Sequence, residues 1–173
     1  MSRIIIITGG ARSGKSCFAE GLATTFGDPR AYIATGEARD NEMRERIERH
    51  RMRRGPAWST IEEPYDLAGV IRRYDDLYRV MLVDCITLWL TNLLLKYDDV
   101  QKVMADVNDF ASLFSSIKTP LILVTNEVGM GIVPENRLAR TFRDIAGEAN
   151  QLLACAADEV YVTISGLPLK LKG

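Results

Sequence analysis

Residues 9–16 read Gly9-Gly10-Ala11-Arg12-Ser13-Gly14-Lys15-Ser16 and match G-x-x-x-x-G-K-[ST] at every defined position. Glycines let main-chain N–H groups turn inward around an anion, where a Cβ would hinder them. Lys15 offers an ammonium to β- and γ-phosphate oxygens, and Ser16 offers a hydroxyl to Mg2+. The chemistry implied is the binding and transfer of nucleotide phosphates. Such a loop works with an acid at the end of a neighbouring buried strand, which holds Mg2+ directly or through its water. Asp84 closes the run Val80-Met81-Leu82-Val83 and suits that role. The alternative, second to Mg2+ contact given the loop upstream, is an N-cap for a helix starting at Ile86.

A second group of residues can do covalent chemistry. His50 is the chain's only histidine and sits in Arg46-Ile47-Glu48-Arg49-His50-Arg51-Met52-Arg53-Arg54. Met43, Ile47 and His50 are spaced by four and three, so they share one face of a helix. A neutral imidazole can attack an α-phosphorus, displace pyrophosphate and carry a nucleotidyl group as a phosphoramidate. Arg49, Arg51, Arg53 and Arg54 can neutralise the phosphates being moved. The same pattern also describes a partly buried helix histidine beside a solvated face on which arginines pair with Glu42, Glu45 and Glu48. Periodicity does not separate the two.

These residues need elements to position them. Residues 3–8 form a continuous β-branched run, the mark of a strand buried on both faces. Apolar residues at Phe18, Ala19, Leu22 and Ala23 predict a helix over 15–26. A short strand follows at 31–35, then a charged helix over 38–54. Residues 58–61 read as a short strand, 65–74 as a helix and 79–84 as a third buried strand. Helices are predicted over 87–97 and 100–117, and a strand over 120–125. A glycine-containing loop at 129–134 leads into a long helix ending near Ala157, then a strand at 159–164 and a last edge at 167–171. Strands alternating with helices predict an α/β fold: a mostly parallel central sheet with helices on both faces. No internal repeat or linker divides residues 1–173, and one nucleotide-binding catalytic domain is expected.

The length of 173 residues suffices for a core without staples. A formal net charge of −1 gives the whole molecule no attraction for nucleic acid or anionic membrane. Cys17, Cys85 and Cys155 are widely spaced and form no C-x-x-C pair, so they read as buried structural thiols in a reducing compartment. The run Ile4–Ile7 is too short for a membrane span or a signal peptide. A cytoplasmic protein is expected.

The motifs come in a familiar order. After residues 9–16 come Tyr32-Ile33-Ala34-Thr35, Glu42-Met43, Arg46-Ile47, His50 with its following arginine, and Trp58. Val83-Asp84-Cys85-Ile86-Thr87-Leu88-Trp89-Leu90-Thr91-Asn92-Leu93-Leu94 and Thr125-Asn126-Glu127-Val128-Gly129-Met130-Gly131-Ile132-Val133-Pro134 complete the series. The chain closely resembles the bifunctional adenosylcobinamide kinase/adenosylcobinamide-phosphate guanylyltransferases of cobalamin biosynthesis. The resemblance implies a P-loop NTPase fold of RecA-like type and two reactions. The first phosphorylates adenosylcobinamide with ATP or GTP. The second transfers GMP from GTP onto that phosphate through a histidine, and His50 matches that position.

The resemblance further implies nucleotide contacts at Gly9, Gly10, Ala11, Arg12, Ser13, Gly14, Lys15 and Ser16. Others fall at Ala34, Thr35, Gly36, Arg51, Met52, Arg53, Arg54, Glu62 and Asp84. It makes Lys15 and His50 catalytic, and it implies a homotrimer. Mg2+ would lie at Ser16 and Asp84. Asp84 stands where some relatives carry Glu, and the stretch after His50 is richer in arginine than in others. Thr125, Asn126 and Glu127 end a predicted strand, where ligands gather in open α/β sheets, and such a polar cluster also suits capping of the next loop. Arg137, Arg140 and Arg143 form one stripe of the following helix and read as a solvated or subunit-facing surface. Two other functions fit the loop and Asp84 alone: a small-molecule kinase without guanylyl transfer, and a RecA-like nucleotide-dependent switch.

Overall fold

Runs of β-branched and aliphatic residues with no polar alternation must be covered on both sides, and they are. The computed structural model describes residues 2–37 and 55–173. In it β1 (Ile4–Gly9), β2 (Arg30–Ala34), β3 (Trp58–Glu62), β4 (Val80–Asp84), β5 (Leu121–Val124), β6 (Glu159–Ile164) and β7 (Leu167–Lys172) form one sheet. Its seven strands run in the order β3-β2-β4-β5-β1-β6-β7. All neighbours are parallel except β6 and β7, which are antiparallel.

The helices are α1 (Lys15–Thr24), α2 (Leu67–Tyr74), α3 (Ile86–Tyr97), α4 (Val100–Ser112) and α5 (Arg137–Ala156). Alternate side chains of each central strand go to opposite faces. Ile4, Ile6, Met81, Val83, Leu121 and Leu123 pack with α2 to α5 around Trp89 and Phe110. Ile5, Ile7, Leu82, Ile122 and Val124 pack with Ala19 and Ala23 of α1. Helices therefore lie on both faces, as the alternation of elements predicts. α3 lies across the first face with Trp89, Leu90 and Leu93 fully buried, and the Trp89 ring meets Phe110 edge-on at 5.5 Å.

Two expectations are corrected. The helix predicted over 100–117 stops at Ser112 and tightens into a 3-10 turn, Leu113–Ser115, which turns Phe114 and Ile117 into the core. Of the three cysteines only Cys85 is buried, while Cys17 and Cys155 are exposed. These two sit on helix faces turned from the sheet, where spacing alone does not report burial. The helix predicted over 38–54 lies outside the described residues, and with it His50, Arg51, Met52, Arg53 and Arg54.

Candidate active site

The C-terminal ends of the parallel strands bring the described candidate residues to one edge of the sheet. β1 ends at Gly9 and the loop 10–14 leads directly into α1. The N-cap of α1 is Gly14 at φ 96, which has no side chain to cap with, and no acid occupies the first turn. The leading amides of α1 therefore face the loop without a side-chain partner, which is an anion-binding arrangement. The buried Lys15 ammonium lies inside the same loop, donating to Gly10 O at 2.6 Å and standing 3.5 Å from Ser13 Oγ.

Gly9 is required by crowding as well as by conformation. At φ 148, a Cβ there would lie 2.5 Å from Thr163 O and 2.8 Å from both Ser13 Oγ and Thr163 Oγ1. The reason is a clasp from the far end of the chain. Ser13 Oγ and Thr163 Oγ1 are hydrogen-bonded at 2.7 Å, and the Gly166 amide donates to Ser13 O at 2.9 Å. Ser165 and Gly166, at φ 52 and 84, form the tight turn between β6 and β7, of the kind whose two positive φ angles match strand twist. The phosphate loop thus rests on a hairpin that sequence reasoning did not connect with it. Local pattern carries no sign of a contact spanning this much chain.

Asp84 ends β4, with β5 between it and β1. At about 4.8 Å per strand it lies roughly 10 Å across the sheet from the loop. The capping alternative is excluded, since α3 follows Cys85 and carries no side-chain cap bond. Instead Asp84 Oδ2 accepts from the Tyr32 hydroxyl at 3.0 Å. Cys85 behind it is walled in, and burial first, then the Asp84 charge, pushes its thiol up to about 12. It is not a nucleophile at neutral pH.

Ala34 pairs with Asp84 on one side and Glu62 on the other. Thr35 is fully buried; its hydroxyl donates to Cys85 O and accepts from Cys85 N, each at 2.8 Å, so it ties β2 to β4. Glu62 is exposed at the end of the edge strand β3, well across the sheet from the loop. Arg12 is exposed on the loop in a left-handed conformation at φ 57.

The end of β5 carries a polar network. Thr125 Oγ1 donates to Asn150 Oδ1 at 2.7 Å, the Asn126 amide donates to Thr87 Oγ1 at 2.7 Å, and the Glu127 amide donates to Gly9 O at 3.0 Å. Local pattern gives neither Thr87 nor Asn150 a role, because the partners each meets at the end of β5 lie far away in the chain. Arg140 folds back onto the loop before α5, donating to Pro134 O at 3.0 Å and Glu135 O at 2.6 Å.

Comparison with known proteins agrees with this geometry. The chain spans 92% of its length in common with the RadB recombinase structure and 73% of that protein's, with a TM-score of 0.56 at 13% identity. That likeness concerns the fold, a RecA-like P-loop NTPase. The bifunctional adenosylcobalamin biosynthesis protein CobP of Pseudomonas aeruginosa is 46% identical over 168 residues, covering 97% of this chain and 96% of the relative. CobU of Escherichia coli K12, also described as bifunctional, is 43% identical, covering 98% of this chain and 99% of the relative. The family model described as cobinamide kinase / cobinamide phosphate guanyltransferase matches residues 5–171. With the phosphate loop, the acid on β4 and near-complete alignment in agreement, the chain belongs to the cobinamide kinase/cobinamide phosphate guanyltransferase family.

Proposed function

We propose that both family reactions run at this edge of the sheet, on adenosylcobinamide and its phosphate, in the cytoplasm. The observation that carries the reading is the cradle itself: α1 amides without a side-chain cap, the enclosed Lys15 ammonium and Asp84 along the same edge. ATP or GTP would lie with its phosphates within Gly9, Gly10, Ala11, Arg12, Ser13, Gly14, Lys15 and Ser16. The nucleoside would extend across β4 and β2 toward Ala34, Gly36 and Glu62. Thr35 would act by holding β2 and β4 in register.

A hydroxyl and a carboxylate are hard oxygen donors, and Mg2+ bound with a triphosphate takes one or two protein ligands and keeps several waters. Ser16 and Asp84 fit that demand, with the Tyr32 hydroxyl orienting the carboxylate. The ion would supply charge neutralisation across the β- and γ-phosphates. Lys15 would hold the transferring group in line, and positioning supplies most of the rate.

In the second reaction the His50 imidazole nitrogen attacks the α-phosphorus of GTP. A P–N bond forms, the α–β P–O bond breaks and pyrophosphate leaves. The phosphate of the corrinoid then attacks the same phosphorus, breaking the P–N bond and freeing the imidazole. Arg51, Arg53 and Arg54 would neutralise the phosphates, with Met52 beside the nucleotide. Wild-type protein incubated with α-labelled GTP should gain a label that is lost in acid and kept in base. The same label on a His50→Ala protein would end the assignment. A homotrimer is proposed from the family resemblance, and the exposed aliphatic side chains Leu167, Leu169 and Leu171 of β7 suit contact between copies.

A further inference from the structure

The first reaction begins from an alcohol and the second from a phosphate, and this difference points to a residue the site still lacks. An alcohol must lose a proton as it attacks the γ-phosphorus, so a positioned base accelerates that step. A phosphate monoester, with a second pKa of about 6, is already largely a dianion at neutral pH and needs none.

Among the described residues the carboxylates at this edge are few. Asp84 is engaged by Tyr32 and is the residue proposed above to hold Mg2+. Glu37 accepts from the Tyr65 hydroxyl at 2.9 Å. Glu63 accepts the Tyr65 and Asp66 amides at 2.9 and 2.8 Å, closing a turn. Glu62 is on the outermost strand.

Glu127 differs in place and in partners. β5 lies between the strand that carries the phosphate loop and the strand that carries Asp84. Its pairing with β1 continues beyond Val124, through Thr125 N to Ile7 O and Glu127 N to Gly9 O, both at 3.0 Å. Glu127 is thereby anchored beside the first glycine of the loop. It is half-buried, and its Oε1 accepts the Gly129 amide at 3.1 Å, which orients the carboxylate. Its Oε2 has no hydrogen-bond partner among the described residues. The segment that starts here also exposes Met130 (87%) and Ile132 (96%), an apolar surface suited to the rim of a large macrocycle.

We propose that Glu127 is the catalytic base of the kinase step, an assignment that rests on the bifunctional reading above. Glu127 takes the proton of the adenosylcobinamide hydroxyl as the O–Pγ bond forms. The bond from Pγ to the bridging oxygen breaks, its electron pair leaves with the nucleoside diphosphate, and the proton passes to solvent.

The test separates the two steps on full-length protein. Glu127→Gln should lower phosphorylation of adenosylcobinamide by about 10²- to 10⁴-fold. Guanylyl transfer to pre-made adenosylcobinamide phosphate, and the Kd for Mg-GTP, should stay near wild type. Glu127→Ala should lose phosphorylation likewise and regain part of it with added formate. Undiminished phosphorylation in Glu127→Gln would overturn the assignment, as would an equal fall in both reactions or the absence of formate rescue. Should Glu127→Gln not fold, the Glu127→Ala protein with formate decides alone. If wild type itself performs neither reaction, the bifunctional reading fails, and the role of Glu127 with it.

Discussion

At the scale of single residues, the phosphate loop depends on what touches it from behind. Gly9→Ala places a methyl 2.5 Å from a backbone oxygen of β6, which must shift the loop or the strand. Loss of the thermal shift caused by Mg-GTP is the expected result. Thr163→Val is a milder probe, since it keeps the shape and removes the bond to Ser13 Oγ. A buried hydrogen bond of this kind is worth about 1 kcal/mol, and the variant also loses the longer bond from Thr163 Oγ1 to Thr8 O. Nucleotide affinity measured by titration should fall about 5- to 30-fold, consistent with 1–2 kcal/mol. Thr163→Ser, which keeps the hydroxyl, should restore most of it. Equal affinity in all three proteins would show that the hairpin does not support the cradle.

At the scale of elements, capping decides where helices begin and so where the loops at the site end. Asp99 accepts the Gln101 and Lys102 amides at 2.9 and 3.3 Å and starts α4, the helix that places Phe110 against Trp89 of α3. Asp99→Ala should cost about 1 kcal/mol. Urea denaturation should show this as a lower midpoint with an unchanged slope, and no change in nucleotide affinity. The α1 start obeys the opposite rule. Its glycine N-cap leaves the amides without a side-chain partner, and a ligand can take them.

At the scale of the whole molecule, the two ends of the described chain meet in one ion-pair group. The Arg3 guanidinium is bonded to Glu159, which also accepts from Tyr161 at 2.7 Å and pairs with Lys170 at 3.1 Å. The Arg3 bond first, then those of Tyr161 and Lys170, hold the Glu159 carboxyl at about 2, below its ordinary 4.5. A depressed carboxylate stabilises the fold above its unfolded pKa, and that contribution fades as pH falls from about 4.5 toward 2. Glu159→Gln should therefore be less stable than wild type at pH 7, by about 1 kcal/mol once solvent screening at the exposed Arg3 is allowed for. Its melting temperature should also fall less steeply over that acid window. Identical slopes for the two proteins would contradict the pairing.

Much of this was legible in the residues. Strand runs such as Ile4–Ile7, the loop 9–16 and the acid closing β4 depend on local spacing, and local spacing is what steric rules and periodicity describe. The motif order from residue 9 to residue 134 was enough to suggest the family. Tertiary structure alone decided which strand lies beside which: β5 enters between β1 and β4, so Glu127 comes to Gly9. It also set the β6–β7 turn beneath Ser13 and turned Asp84 toward Tyr32 instead of the start of α3. These contacts join residues far apart in the chain. Their energies depend on the packing of the whole sheet, and no stretch of sequence short enough to read by pattern contains both partners.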